Sequence, residues 1–210
     1  ASMGADAIII DDGFQHRKLH RDHDVVVLDG RDLFGQGYLL PRGLLRESPK
    51  ELRRAKLIVV NHAKGPLLDP VKQSIEQYSN APIVTMNPII ESITDLSNTK
   101  FYSLEGVKIA AFCGIANPSS FYKMLKEKGG KLVARKTFAD HAKPSLKRLQ
   151  LIAQASRKRG AKVLICTEKD KVKLPQDIEL ALPIAYVKMG LQITSGLEQW
   201  QKFIRDLNQA

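Results

Sequence analysis

Short runs of aliphatic and β-branched residues alternate along this chain with segments whose apolar positions recur every three or four residues. The runs Ala7–Ile10, Val25–Leu28, Leu57–Val60, Ile83–Met86, Lys108–Cys113, Leu132–Lys136, Val163–Cys166 and Ile184–Val187 read as β-strands. Most are apolar at every position rather than at every second one, as expected of strands covered on both faces. Strands interleaved with helical segments indicate an α/β class with a mostly parallel sheet. Three helices are sharply marked. Asn117-Pro118 supplies an N-cap and a proline at the first helical position, Phe121, Met124 and Leu125 share one face, and Gly129-Gly130 ends the segment. Ser145 caps a second helix with a stripe of Leu146, Leu149, Ile152 and Ala153, and Arg157 to Arg159 suit its negative end before Gly160. Leu197, Trp200, Phe203, Ile204 and Leu207 place a third at about 197–207. The polar stretch Glu91 to Leu104 reads as a linker, which divides the chain into lobes of residues 1–100 and 101–210.

Composition narrows the partners. The 210 residues carry 33 Lys and Arg against 22 Asp and Glu, a net charge of +11. Such a balance favours an anionic partner: nucleic acid, acidic lipid or a phosphorylated ligand. The clusters Arg17-Lys18, Arg53-Arg54-Lys56, Lys123 to Lys131 and Arg157-Lys158-Arg159 each also suit a solvated helix face. Cys113 and Cys166 both sit in apolar strands, which reads as reduced core thiols rather than a disulfide framework. No Cys/His spacing suits a metal, and no segment approaches the ~20 apolar residues of a spanning helix.

The chemistry is concentrated in the stretch IIIDDGFQH, residues 8 to 16. Read as a strand followed by two carboxylates, it places Asp11 and Asp12 beyond a strand's carboxyl end, where open α/β sheets bind ligands. An Asp at that position has the form of a Walker-B group orienting Mg²⁺ on nucleotide phosphates. The plainer alternative is a pair of turn or cap residues with Gly13 bending the chain. A Walker-B strand also requires a phosphate-binding loop of the form G-x-x-x-x-G-K-[ST]. These 210 residues contain none, since Gly130-Lys131 is followed by Leu132. Either the Walker-B reading fails, or the chain is the C-terminal part of a longer protein.

The segments that follow bear on that choice: VVVLDGRDLFGQGYLLPRGLLRESPKELRRAKLIVVN, then FCGIANPSSFYKMLKEKGG, TFADH and CTEKDKVKL. In this order and spacing the set resembles the tetraacyldisaccharide 4'-kinase family, the lipid A 4'-kinases. The resemblance covers essentially the whole chain and about the last two thirds of the family's usual length. It implies two Rossmann-like lobes of P-loop-kinase type with mostly parallel sheets, the first truncated. It also implies transfer of the γ-phosphate of ATP, with Mg²⁺, to the 4'-hydroxyl of tetraacyldisaccharide 1-phosphate at the cytoplasmic face of a bacterial inner membrane. The phosphate-binding loop and a membrane-associating helix would lie upstream, and this chain alone would be inactive.

On that resemblance Asp11 and Asp12 hold or support Mg²⁺ and act in catalysis, and Gln15 and His16 line the nucleotide pocket. Arg46 contacts the substrate or the triphosphate, with Glu47 orienting it. His141 partners a catalytic Asp outside this chain. Each residue has a plainer alternative: a surface histidine at 16, a helix cap at Asp140-His141, and an exposed ion pair at 46–47. Arg42 and Leu44 depart from the family's usual loop, which carries a small residue and a second proline. Leu39, Leu40, Leu44 and Leu45 beside Arg42 and Arg46 suit an acyl-phosphate ligand at a membrane surface, or buried packing. Thr167-Glu168-Lys169-Asp170 stands beyond another strand, with its lysine one place late for a guanine-reading motif. The rival reading is a non-catalytic α/β module that binds anions or nucleic acid. Against it stand an aromatic content of 6% and no recognisable nucleic-acid motif.

Overall fold

The computed structural model describes residues 7–63, 68–139, 142–175 and 178–207. Seven of the eight expected strands form: β1 (Val25–Asp29), β2 (Leu57–Asn61), β3 (Ile83–Asp95), β4 (Lys108–Cys113), β5 (Lys131–Thr137), β6 (Val163–Thr167) and β7 (Ile184–Ser195). They are joined by helices α1 (Leu68–Glu76), α2 (Pro118–Glu127), α3 (Leu146–Lys158), α4 (Glu168–Lys171) and α5 (Leu197–Leu207). The class is α/β and the sheet is mostly parallel.

The eighth expected strand does not form. Ala7–Ile10 pairs with no described strand, and Ile8 and Ile9 are 80% and 95% exposed. An apolar run becomes a strand only where a neighbour accepts its backbone hydrogen bonds, and none of the described residues does so. The segment 91–104 departs from expectation in the other direction. β3 continues to Asp95 because Ile90, Ile93 and Thr94 are buried, and only then does the chain turn. That turn is fixed by Asp95, which accepts from the Thr99 N–H at 2.8 Å and its hydroxyl at 2.7 Å.

The chain divides into two compact units, Ala1–Pro88 with Leu191–Ala210, and Ile89–Gly190. The pattern placed one boundary near residue 100; the long strands β3 and β7 instead each run through both units, and the C-terminal helix belongs to the first. The first unit has the order β1-β2-β3-β7, with β1, β2 and β3 parallel. The edge strand β1 leaves Val25 and Val27 exposed, while β2 buries both faces. Ile58 and Val60 pack with Leu52, Val71 and Ile75, while Leu57, Val59, Val84 and Met86 pack with Phe203 and Trp200 of α5. Successive side chains of one strand therefore meet opposite helical layers, which is why β2 is apolar from Leu57 to Val60. Along β3, Thr85 meets Thr194 and Ile83 meets Gly196, so the two long strands run antiparallel there.

The second unit has the order β3-β7-β6-β4-β5, in which β7, β6, β4 and β5 are parallel. One face carries Ile109, Ala111, Cys113 and Ile165 against Phe121, Tyr122 and Leu125 of α2. The other carries Ala110, Phe112, Leu164 and Cys166 against Leu149 and Ala153 of α3. The caps fall where the pattern put them: Asn117 accepts from the Ser120 N–H at 3.2 Å and Ser145 from that of Arg148 at 3.4 Å.

The segment Thr167 to Asp170 is structural. Thr167 caps α4, and Asp170, 2% exposed, accepts from the Thr167 hydroxyl (2.7 Å), the Gly114 N–H (3.0 Å) and Lys173 Nζ (3.0 Å). It ties the ends of β4 and β6 together. Asp170→Ala would leave a largely buried ammonium and an amide unpaired, and we expect it to cost about 3 kcal/mol. A urea midpoint unchanged from the parent would refute that role.

Cys113 and Cys166 lie on opposite faces of neighbouring strands, which rules out a disulfide between them. Burial pushes both thiols upward, so at neutral pH they are protonated and poor nucleophiles. A thiol reagent should label neither cysteine in the folded chain and both in denaturant. Rapid labelling of either under native conditions would contradict the burial.

Candidate active site

The acidic and polar residues of the stretch 11–16 sit on a compact turn in the first unit. Asp12 takes a left-handed conformation (φ 54°), and the His16 N–H donates to the Gly13 carbonyl at 3.0 Å. Gly13 is buried against Ile10, where a Cβ would come within 2.7 Å of Ile10 Cγ2. The two carboxylates therefore stand on a turn, not at a strand's end, which corrects the expectation for Asp11 and Asp12. The missing pairing of Ala7–Ile10 is the reason.

Residues far along the chain fix this turn. Arg46 Nη1 donates to both carboxylate oxygens of Asp12, at 2.8 and 2.7 Å. That hydrogen bond, with the Asp12 charge, pushes the Arg46 guanidinium further up, so it stays cationic at any working pH. Glu47, expected to orient Arg46, does something else: it accepts from Arg54 Nη2 at 2.6 Å and from Arg17 Nε at 3.3 Å. Glu51 meets the same two guanidiniums, Arg54 at 3.1 Å and Arg17 at 3.0 Å. Arg54 also donates to the Phe14 carbonyl at 3.1 Å and stacks on the Phe14 ring at 4.0 Å.

The local sequence explains why these groups meet. Ser48-Pro49 starts a 3-10 helix, Pro49–Arg54, with Ser48 accepting from the Lys50 N–H at 3.4 Å. Leu52 points into the core, which leaves Glu51 and Arg54, three residues apart, on the side that meets Phe14 and Arg17. An exposed single pair contributes little, but two carboxylates shared by Arg17 and the stacked, partly buried Arg54 form a network.

Gln15 is half-buried on the turn and His16 is exposed. His141 lies outside the described residues. Asp11 and Asp12 are both exposed. As a pair of hard oxygen donors they fit Mg²⁺, an ion that keeps several waters and completes its shell with phosphate oxygens. Among the described residues no cluster of three or more His, Cys, Asp or Glu is arranged to hold a metal. Asp12 is engaged by Arg46, while the Asp11 carboxylate is exposed.

Sequence reasoning missed one carboxylate. Besides β3, which ends at Asp95, β1 ends in an acid, Asp29, which the Arg31 side chain and backbone hold below the usual carboxylate range. Arg31 Nε donates to Asp29 at 2.9 Å, and Gly30 approaches the Asn61 carbonyl at the neighbouring strand end, N–H to O 2.7 Å. The run Val25–Leu28 followed by Asp29-Gly30 carried the same signal as IIIDDG and was the better-paired strand.

Arg54→Ala removes contacts to Phe14, Glu47 and Glu51 together. It should lower the melting temperature by about 2–5 °C, given roughly 2–4 °C per kcal/mol for a chain of this size. Arg54→Lys keeps the charge but loses the fork and the stack, so it should recover less than half of that. Equal melting of all three proteins would show that the network does not hold the turn.

The chain has clear relatives. The family profile described as "LpxK: Tetraacyldisaccharide-1-P 4'-kinase" matches residues 1–208. A tetraacyldisaccharide 4'-kinase of Chlamydia abortus is 37% identical over 194 residues, 90% of this chain and 52% of that protein. One of Halothermothrix orenii is 34% identical, covering 83% of this chain and 50% of that protein. The crystal structure of "apo" form LpxK from Aquifex aeolicus in complex with ATP superposes with a TM-score of 0.64 at 27% identity, over 93% of this chain and 56% of that one. This chain spans about half the length of the curated relatives it matches. With a match that runs almost from end to end, the chain belongs to the tetraacyldisaccharide-1-P 4'-kinase family.

Proposed function

We propose that the protein containing this chain transfers the γ-phosphate of ATP to the 4'-hydroxyl of tetraacyldisaccharide 1-phosphate, the lipid A precursor. The observation that carries this reading is the family match over residues 1–208. The ATP named in the Aquifex aeolicus structure supports the choice of donor. In the reaction the sugar oxygen forms a bond to the γ-phosphorus, the bond to the bridging oxygen of ADP breaks, and the hydroxyl proton passes to a base.

Phosphoryl transfer depends mainly on positioning and on charge placed around the phosphoryl oxygens. Mg²⁺, when bound, would neutralise phosphate charge. Asp11 and Asp12 are the residues proposed to hold it. Arg46 is the cation we assign to a phosphate of the substrate or the nucleotide, since its planar fork suits either. Its pairing with Asp12 keeps it extended beside the turn until such a phosphate competes for it. Glu47 acts one step back: by binding Arg54 and Arg17 it fixes the backbone from which Arg46 projects. Gln15 and His16 are assigned to the nucleotide pocket. His141 is assigned as the partner that orients and tunes a carboxylate base, a role for which an imidazole near neutral pH is suited. The site is placed at the cytoplasmic face of a bacterial inner membrane, and nucleic acid is not a proposed partner. No described helix is long and apolar enough to cross a membrane.

The sequence of these 210 residues contains no phosphate-binding loop, so transfer by this chain alone is not expected. The test follows phosphate from γ-labelled ATP to tetraacyldisaccharide 1-phosphate, using this chain and the full-length protein. Transfer by the full-length protein only, cut by at least about 100-fold in His141→Ala, fits the lower range of general-base contributions. A folded full-length protein that transfers nothing would overturn the assignment and favour an anion-binding module.

A further inference from the structure

One loop of the first unit displays apolar side chains it has no means of burying. Tyr38, Leu39, Leu40 and Leu44 are 46%, 50%, 59% and 67% exposed, and they fall within seven consecutive residues. A flexible loop could fold such side chains inward, but this one is closed on itself. The Leu40 N–H donates to the Leu45 carbonyl (2.9 Å), Gly43 to Leu39 (3.0 Å), Leu44 to Gly35 (3.1 Å) and Leu45 to Tyr38 (3.1 Å). Its inner side is glycine. Gly35 and Gly43 are buried, and a Cβ on Gly35 would come within 2.7 Å of Leu44 Cβ. The backbone thus fills the loop's interior and the leucines are turned out.

A cation stands among them. The Arg42 guanidinium lies 3.8 Å from the centre of the Tyr38 ring, and among the described residues it meets no carboxylate. The neighbouring Arg46 is taken up by Asp12. Leucines and a tyrosine turned outward around an uncompensated arginine match a boundary with hydrocarbon on one side and anionic headgroups on the other.

We infer that the loop 38–44 docks on an anionic bilayer, with Leu39, Leu40 and Leu44 entering the acyl boundary and Arg42 meeting lipid phosphates. The consequence follows from chain connectivity. Leu45 closes the loop and Arg46, the next residue, holds Asp12. Docking would therefore set the turn of residues 11–16 at the height of the headgroups, where a lipid substrate presents its sugar. This rests on the membrane-side reading above, but binding to vesicles requires no phosphate transfer, so either idea can fail without the other.

The test is co-sedimentation of this chain with vesicles of phosphatidylcholine, with and without phosphatidylglycerol. The parent should bind the anionic vesicles. A triple variant with Leu39, Leu40 and Leu44 each replaced by Ser keeps the net charge, and its partition coefficient should fall by about tenfold or more. Arg42→Gln should weaken binding by about fivefold on anionic vesicles and not on neutral ones. Binding of the triple variant at the parent's level would mean that overall positive charge suffices, and the proposal would be wrong. Absence of binding by the parent, or self-association that the triple variant loses, would also overturn it, the latter making a second copy the occupant. Should the triple variant fail to fold, Leu40→Trp in a Trp200→Phe background supplies an independent reading. Its emission should be quenched by lipids brominated on their acyl chains, and an unquenched tryptophan on vesicle-bound protein would refute insertion.

Discussion

The candidate site depends on one guanidinium. Arg54 reaches a backbone carbonyl and an aromatic ring at Phe14, and it shares two carboxylates with Arg17. Two stretches distant in sequence are held together by it: the turn of residues 11–16, and the run from Glu47, next to Arg46, through the 3-10 helix Pro49–Arg54. Arginine suits this place because its donors are fixed in a plane and its face can stack. A lysine ammonium could satisfy one carboxylate but not the ring, the carbonyl and both acids together. Without that junction the turn would keep its own short hydrogen bonds, the donation from Arg21 to the His16 carbonyl, and the exposed Asp12–Arg46 pair, which solvent screens.

The two units show how differently a carboxylate can be used. Asp170 is buried, triply hydrogen-bonded and paired with Lys173, so its charge is spent on joining two strand ends. Asp11 and Asp12 are exposed on a turn, and among the described residues only Asp12 has a cationic partner. Ligand chemistry needs the second arrangement, since a carboxylate that must receive a cation has to remain accessible. Both acids follow an apolar run in the sequence, and nothing in the run itself separates the two uses.

Most of the scaffold was legible. The strands Val25–Leu28 and Leu57–Val60, the caps Asn117 and Ser145, and the helix 197–207 appear where the pattern put them, because each is encoded by local chemistry and by periodicity. The failures share a cause. Ala7–Ile10 has the composition of a strand but no neighbour to pair with among the described residues. Residues 91–95 look polar yet extend β3, since burial of Ile93 and Thr94 outweighs the polar neighbours. Helix α1 was missed because only Val71 and Ile75 reach the core. Of the site residues, Arg46 meets Asp12, a pairing the sequence did not suggest, and Glu47 meets Arg54 and Arg17 rather than Arg46.

The sequence by itself determined the alternation of buried strands and amphipathic helices, the cap positions, and a motif set specific enough to mark the family. Tertiary structure decided which charges meet. Arg46 and Asp12 are 34 residues apart, and Arg54 and Phe14 are 40 apart. Repeats of two or 3.6 residues cannot encode such pairings. They arise because β1 and β2 lie side by side and parallel, which brings the segments leading into them together. That packing also decided that Asp29 stands at a strand's end, while Asp11 and Asp12 stand on a turn.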